Sequence, residues 1–277
     1  MASTPSKARY AMMQAHGAPG TDHGCELRDN HPGLDTYAQS CTLTAGGASY
    51  RIPATSHYDT TPTSDFTGVG TGDQLFEDGW WFRVAGDTQE FFFPVPDTTT
   101  CAGAAGTITW NNVSTRGFRV TNTLALTSPG AGKGEVILTM AITNLSATTP
   151  LVISLFHGAD FDVNGTAGGD NAILLAANTY IRIADTTTGV AEQRAFGPPA
   201  NALLVRPFGV ADVFGLLSDA LVNNFDNTTL PAGPIDYTGG FQWNLDIPAG
   251  GTRSVSVALN SNAPPTTPVT LKNFSVD

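Results

Sequence analysis

Oxygen-bearing side chains recur at two-residue intervals in one stretch of the sequence, GADFDVNGTAGGDN, residues 158–171. Counted from Asp160 as position 1, carboxylate or amide ligands fall at Asp160, Asp162 and Asn164, and a turn glycine follows at Gly165. The carbonyl of Thr166 then occupies the position from which a calcium loop uses a backbone oxygen. Because calcium takes several oxygen ligands at once, this spacing predicts a calcium site.

The stretch also departs from the calcium-loop pattern. Position 12, where such loops place a bidentate Glu, is Asn171, with Asp170 one residue earlier. The residues before Asp160 read as a strand and not as a helix. We take Asp160, Asp162, Asn164, Thr166 and Asp170 as the candidate metal ligands. The alternative is a polar turn whose Asx side chains hydrogen-bond to their own backbone.

Three tryptophans, Trp80, Trp81 and Trp110, are the candidate ligand-binding aromatics. Trp80 and Trp81 are adjacent, so in a strand their side chains point to opposite faces of the sheet. One of the two is expected in the core, and the other is expected either exposed or covered. An exposed indole could stack on a sugar ring, whereas a covered one would belong to a second packed layer.

Three cysteines, Cys25, Cys41 and Cys101, leave at least one thiol unpaired within the chain. Cys25 and Cys41 lie in a Gly- and Pro-rich segment that a crosslink would stabilise by closing a short loop. We therefore predict a Cys25–Cys41 disulfide and leave the partner of Cys101 open.

Charged residues are scarce and mostly acidic: they make up 13% of 277 residues, and the net charge is −11. Nucleic acid is an unfavourable partner, because phosphate binding needs clustered cations. No apolar run approaches the roughly 18 residues of a membrane span. The N-terminal segment lacks the apolar region of a signal peptide, so the chain as given shows no export signal.

Short alternating runs rich in Val, Ile, Thr, Phe and Trp, separated by Gly, Pro, Asn and Asp, follow one another from about residue 49. They predict about a dozen strands and an all-β fold, a large two-sheet antiparallel β-sandwich. Apolar residues at three- and four-residue spacing in 208–225 predict one helix of three or four turns. The expected organisation is an irregular arm (1–48), a sandwich domain (49–262) and a C-terminal strand or tail (263–277).

The segments TGDQLFEDGWWFRVAGDTQEFFF (71–93), LVISLFHGADFDVNGTAGGDNAIL (151–174) and GGFQWNLDIPAGG (239–251) resemble those of a family of exported bacterial β-sandwich proteins. The resemblance implies a secreted or cell-surface sandwich without an established activity. More distantly, the chain is similar to mutarotase-type sandwiches, which use a histidine with a carboxylate for acid–base chemistry. That likeness points to His157 with Asp160 or Asp162.

No nucleophile elbow, zinc-protease motif or phosphate loop is present in the sequence. We therefore expect a non-catalytic extracellular module with a structural or adhesive role, which self-assembles through its terminal segments. One alternative is a carbohydrate-binding module whose exposed aromatics contact glycans. The other is a mutarotase-like carbohydrate-active enzyme.

Overall fold

The computed structural model describes residues 41–52, 66–185, 189–209 and 211–261. This part of the chain is an all-β sandwich of seventeen strands with one short α-helix, α1 (Val213–Leu217). The strands are β1 Cys41–Ala45, β2 Ala48–Ile52, β3 Phe66–Thr67, β4 Glu77–Val84, β5 Phe91–Phe92, β6 Thr98–Ala102, β7 Ala105–Trp110, β8 Phe118–Thr127, β9 Gly134–Asn144, β10 Leu151–Phe161, β11 Asp170–Ala176, β12 Tyr180–Asp185, β13 Val190–Phe196, β14 Ala202–Pro207, β15 Ala232–Ile235, β16 Tyr237–Ile247 and β17 Thr252–Ser261.

The strands form two large antiparallel sheets and one small one. The first large sheet has five strands in the order β14-β16-β10-β4-β5, and the second has nine in the order β15-β11-β12-β13-β17-β9-β8-β7-β6. A three-stranded sheet, β1-β2-β3, packs at the side. The predicted sandwich is therefore confirmed, with the small sheet as an addition that the sequence did not indicate.

Alternation of side chains explains why the nine-stranded sheet covers the core with one face only. Along β8, Val120 and Leu124 are buried, whereas Arg119 is exposed. Successive side chains of a strand point to opposite faces, so the apolar set of each strand lies on the same side. These residues join one continuous core with the inward side chains of the five-stranded sheet and of the small sheet.

The five-stranded sheet is buried on both faces. Trp80 and Phe82 of β4 pack into the core between the sheets, and Trp81 between them packs on the opposite face. There it contacts Phe92 and Phe214, the latter from α1, with ring centroids 5.0 and 5.5 Å away. Helix α1 and the chain near it therefore cover this face as a second apolar layer.

Helix α1 is shorter than the spacing predicted. It has one N-terminal cap, because the carboxylate of Asp212 accepts a hydrogen bond from the Gly215 amide at 2.6 Å. The helix ends at Leu217, while Leu221 is 66% exposed and thus contributes no buried stripe. The apolar residues of the helix pack in the layer that covers the sheet, and the predicted third and fourth turns are not helical.

Strand β1 corrects the predicted boundary between arm and sandwich. It runs from Cys41 to Ala45, inside the segment predicted to be irregular, and its Leu43 is fully buried. Its alternating segment is only five residues long, too short to stand out among the glycines around it. Residues 1–40 and the predicted C-terminal strand lie outside the described residues.

Cys101 on β6 forms a disulfide. Since the chain has three cysteines, its partner within the chain is Cys25 or Cys41, and the predicted Cys25–Cys41 pairing is wrong. Cys25 and the side chain of Cys41 lie outside what the structure describes. The predicted pairing rested on loop length between cysteines near in sequence, which does not reveal the segments that fold next to Cys101.

Candidate metal centre

The candidate site lies at a corner where the chain passes twice between the two large sheets. One passage joins the end of β10 at Phe161 to the start of β11 at Asp170. The other is a single residue, Asp236, between β15 and β16. Register places the passages together, because Phe161 pairs with Tyr237 in one sheet and Asp170 pairs with Ile235 in the other.

Three carboxylates converge at this corner. Asp160, Asp162 and Asp236 each offer one oxygen, and the three oxygens lie within 4.8 Å of one another. We name these residues the corner triad. Asp160 is fully buried and the other two are half-buried. Three carboxylate oxygens this close together form a cluster that can hold a metal ion.

A glycine-rich loop holds Asp162 against Asp236. A short 3-10 helix, Val163–Gly165, follows Asp162, and the Gly165 amide donates to the Asp162 carbonyl at 2.8 Å. Gly165 and Gly168 have φ values of +79° and +96°, which glycine adopts without the cost paid by other residues. A side chain at Gly168 would lie 3.7 Å from the backbone nitrogen of Asp236, so the loop packs closely on that passage.

Asp170 stands beside the corner triad with its side chain buried. Neither of its carboxylate oxygens makes a hydrogen bond of ordinary geometry. The pKa of Asp170 is raised to about 7, mainly by burial and also by the negative charges of Asp185, Asp162 and Asp236, while a hydrogen bond from the Tyr237 amide offsets part of the rise. A carboxylate in these surroundings gains from a nearby cation.

The remaining predicted ligands have different outcomes. The Thr166 hydroxyl donates to the Val163 carbonyl and to the Asp185 carboxylate, both at 2.7 Å, which braces the loop. The side chain of Asn164 lies outside what the structure describes. Asp160 and Asp162 lie together in the corner triad, and Asp170 lies beside them. The role of all five residues as metal ligands stays a prediction.

Sequence reasoning missed Asp236. It lies far along the chain from Asp162, in the segment PIDY between two glycine-rich stretches, and no ligand spacing marks it. Only the pairing of β10 with β16 brings it to Asp160. A signal was available in principle, since Asp236 is a lone acidic residue just before a strand that is buried along most of its length.

His157, the candidate acid–base residue, lies on the other face of β10 from Asp160. Its ring lies in the core, 4.6 Å from the Trp80 ring between centroids. Nε2 is 3.3 Å from an Asp78 carboxylate oxygen, and Nδ1 is 3.2 Å from the Gln193 amide nitrogen. The predicted pairing of His157 with Asp160 or Asp162 is therefore wrong for Asp160, because residues three apart on a strand face opposite sides.

These contacts extend into a chain of hydrogen bonds with one consistent direction. The Tyr237 hydroxyl donates to Gln193 Oε1 at 3.2 Å, and the Gln193 amide then donates to His157 Nδ1. His157 Nε2–H donates to Asp78, which also accepts from the Tyr50 hydroxyl at 3.0 Å. We name Tyr237, Gln193, His157, Asp78 and Tyr50 the interior hydrogen-bond chain; it links all three sheets.

The three candidate tryptophans are buried. Trp80, Trp81 and Trp110 are 0%, 1% and 2% exposed. The Trp110 indole donates to the Pro94 carbonyl at 2.7 Å, and Trp81 lies in the second layer under α1. The expectation that one of them stacks on a sugar is corrected, since none presents a ring face to solvent. Trp81 follows the alternative, in which a second packed layer covers the indole.

No protein-family model and no curated protein matches this chain. Similar solved structures include a polysaccharide lyase, with a TM-score of 0.39 and 10% identity over 70% of this chain and 26% of the lyase. A protein described as a kojibiose phosphorylase from the human microbiome has a TM-score of 0.38 and 8% identity, over 79% of this chain and 29% of that protein. The chain thus spans less than a third of either protein, and likeness at this level says nothing about activity or substrate.

Fold and site together define a β-sandwich protein with a carboxylate cluster at the corner between its sheets. In the described ranges, no helix is long and apolar enough to cross a membrane.

Proposed function

We propose that the protein is a non-catalytic, extracellular structural or adhesive β-sandwich module whose sheets are joined by calcium bound at the corner triad. The observation that carries this proposal is the convergence of Asp160, Asp162 and Asp236 within 4.8 Å, beside the buried carboxylate of Asp170.

The chemistry of the donors favours calcium. The side-chain ligands of the corner triad are all carboxylates, and hard cations prefer such oxygens, whereas zinc sites usually include nitrogen or sulfur. Calcium also accepts irregular geometry and six to eight oxygens, so it suits a site assembled from a loop and a separate passage. Magnesium requires near-ideal octahedral geometry and binds such sites more weakly.

An ion at this position would link parts of the chain that are distant in sequence. Asp160 and Asp162 belong to the passage from β10 to β11, and Asp236 is the passage from β15 to β16. Neutralising their mutual repulsion would stabilise both passages and the sheets that they connect. Binding to the folded state alone adds about 3 kcal/mol of stability when the ion exceeds its dissociation constant a hundredfold.

A non-catalytic role is supported by the way the acid–base candidates are used. His157 and Asp78 are satisfied by Gln193 and Tyr50 inside the core. Asp160, on the opposite face of the same strand, belongs to the corner triad. A histidine closed into the core cannot reach a substrate held at the carboxylates.

The structural or adhesive part of the proposal rests on surface character. Charge is low and acidic overall, and Ile173, Leu174 and Leu175 of β11 are between 41% and 43% exposed next to one another. Three adjacent exposed aliphatic residues near a sheet edge suit contact with another chain. Self-association through the terminal segments is part of this proposal, although both segments lie outside the described residues.

Thermal unfolding tests the calcium proposal. Chelator-treated protein is expected to unfold at a lower temperature than protein with millimolar calcium, and magnesium at the same concentration should restore little of the difference. Equal melting temperatures with calcium and with chelator would refute it. Analytical ultracentrifugation of the full chain tests assembly: a strict monomer at high concentration would remove the self-association claim and leave the calcium claim intact.

A further inference from the structure

The carboxylates at the corner separate into two groups by the face on which each strand places them. Asp160 lies on the same face of β10 as Phe156, which packs in the second layer with Trp81. Glu77 is its register partner on β4 and is almost fully buried on that same face. The outer group is therefore Asp160 with Glu77 beside it.

Asp170 and Asp185 form the inner group. They are register partners across β11 and β12, where side chains directly opposite lie about 5 Å apart. Asp170 shares its face with Ala172, and Asp185 shares its face with Ile183; both apolar residues belong to the core between the sheets. These two acids thus approach the corner from the inner side of the nine-stranded sheet.

Asp162 and Asp236 are related to both groups. Both belong to the corner triad with Asp160, and both are close enough to Asp170 to act on its charge. Each carboxylate has two oxygens, so each can serve one ion on either side, as carboxylates do in paired metal sites.

We propose that the corner binds two calcium ions: an outer ion held by Asp160, Asp162 and Asp236, and an inner ion held by Asp170 and Asp185, with Asp162 and Asp236 bridging them. This inference rests on the proposed function and deepens it.

Charge and burial favour a second ion over a single one. A single calcium ion at the corner triad would leave Asp170 outside the triad, fully buried and without a hydrogen bond of ordinary geometry to either oxygen. Such a carboxylate is costly to bury unless a cation or a set of donors compensates it. The five aspartates and Glu77 are six carboxylates; two calcium ions would leave two negative charges uncompensated, whereas one ion would leave four.

The number of calcium ions bound to the wild-type protein is the primary test. Chelator-treated full-length protein is titrated with calcium alone at physiological ionic strength, and stoichiometry is read by calorimetry and by native mass spectrometry. Two ions per chain are expected. One ion would overturn the two-ion proposal and leave the calcium function standing, and no ion would overturn both.

Variants assign the two positions. Asp160→Asn is expected to keep only the inner ion, Asp170→Asn only the outer ion, and Asp236→Asn to weaken both by at least tenfold. Asp246→Asn, an exposed acid on the same strand β16, is the matched control and should keep both ions. Circular dichroism in chelator establishes that each variant is folded. If Asp160→Asn and Asp170→Asn both retain two ions, the assignment fails.

Discussion

Two polar regions share strand β10 and use their charged residues in opposite ways. His157, in the interior hydrogen-bond chain, has a hydrogen-bond partner at each ring nitrogen: Nε2–H donates to Asp78, and Nδ1 accepts from Gln193. Asp160, three residues later on the opposite face, lies with Asp162 and Asp236 in the corner triad, where three carboxylate oxygens lie within 4.8 Å of one another. The same backbone therefore presents a satisfied network on one side and an accumulation of negative charge on the other.

The two regions differ in the charge that they gather. In the interior hydrogen-bond chain each donor finds an acceptor, so burial is compensated and the residues act as structural links. At the corner, the charges that act on Asp170 are all negative. Buried groups of one sign are stable when something of the other sign binds them, which is why the corner, and not the histidine, is the better candidate for a ligand.

The largest effect is expected from breaking the interior chain. Asp78→Ala removes the buried carboxylate that accepts hydrogen bonds from both the Tyr50 hydroxyl and His157 Nε2–H. We expect the free energy of unfolding to fall by about 3–5 kcal/mol in urea denaturation. Calcium stoichiometry should not change, because Asp78 faces away from the corner.

Asp246→Ala is the control for that experiment, since Asp246 is exposed and its loss should change stability by less than about 0.5 kcal/mol. If Asp78→Ala lowers the free energy of unfolding no more than the control does, the interior hydrogen-bond chain does not stabilise the fold, and the contrast between the two regions is refuted.

A smaller change in stability, one that depends on calcium, is expected at the corner. Asp160→Asn removes one like charge from the triad, so calcium-free protein should be as stable as the wild type or more stable. In saturating calcium the variant should lack a large share of the stabilisation of about 3 kcal/mol that the ions provide. Urea denaturation with calcium and with chelator measures both terms; a variant destabilised equally in the two buffers would show that Asp160 serves packing instead of binding.

Much of the fold could be predicted from the sequence because alternation is a local property. Strands β8 and β14 are runs in which apolar and polar residues alternate or apolar residues follow one another, which is the local signal that predicts a strand. Other strands carry little of this signal: β6, TTTCA, is mostly threonine, and β13, VAEQRAF, contains Glu192 and Gln193, both of which are buried.

For the same reason, only some residues of the site could be predicted from the sequence. Asp160 and Asp162 are two residues apart, so local spacing was sufficient to single them out. Asp236 enters through the register of β10 with β16, and Asp78 meets His157 through the register of β10 with β4, neither of which has a sequence signature. The Cys101 disulfide follows the same rule, since the spacing of the three cysteines did not indicate which of them pair.

The pH dependence of stability sharpens the comparison further. The pKa of Asp170 is raised from 3.8 to about 7 in the folded protein, by burial first and then by Asp185, Asp162 and Asp236. The folded state therefore holds a proton that the unfolded state has released between these pH values. Its stabilising contribution is full below pH 4, falls as the pH rises towards 7, and stays lost above that.

In chelator, stability should decline by about 1–2 kcal/mol across this pH range, after allowance for water and side-chain movement that relieve part of the burial. Asp170→Asn should flatten the decline, and saturating calcium should also reduce it, because the ion stabilises the ionised carboxylate. Urea denaturation at several pH values measures the slope. An unchanged slope in Asp170→Asn would assign it to another group, with buried Glu90 and Glu192, whose pKa values burial also raises, as the next candidates.

The smallest expected effect separates loop geometry from charge. Gly168→Ala and Gly86→Ala place a side chain at nearly equal φ, +96° and +97°, and each should cost about 1 kcal/mol in calcium-free protein from backbone strain alone. Gly86 has nothing within 4 Å of the added carbon, whereas at Gly168 the added carbon contacts Asp236. The distances from the added carbon to Asp236, 3.7 and 3.8 Å, are ordinary van der Waals contacts, so relief of the strained backbone would move the loop, and not a clash. Because the loop of Gly168 holds Asp162 against Asp236 and Gly86 lies elsewhere, only Gly168→Ala should weaken calcium binding severalfold in a calorimetric titration. Equal calcium affinities in the two variants would mean that the corner takes its geometry from the strand ends and not from the glycine loop, because the backbone penalty is matched.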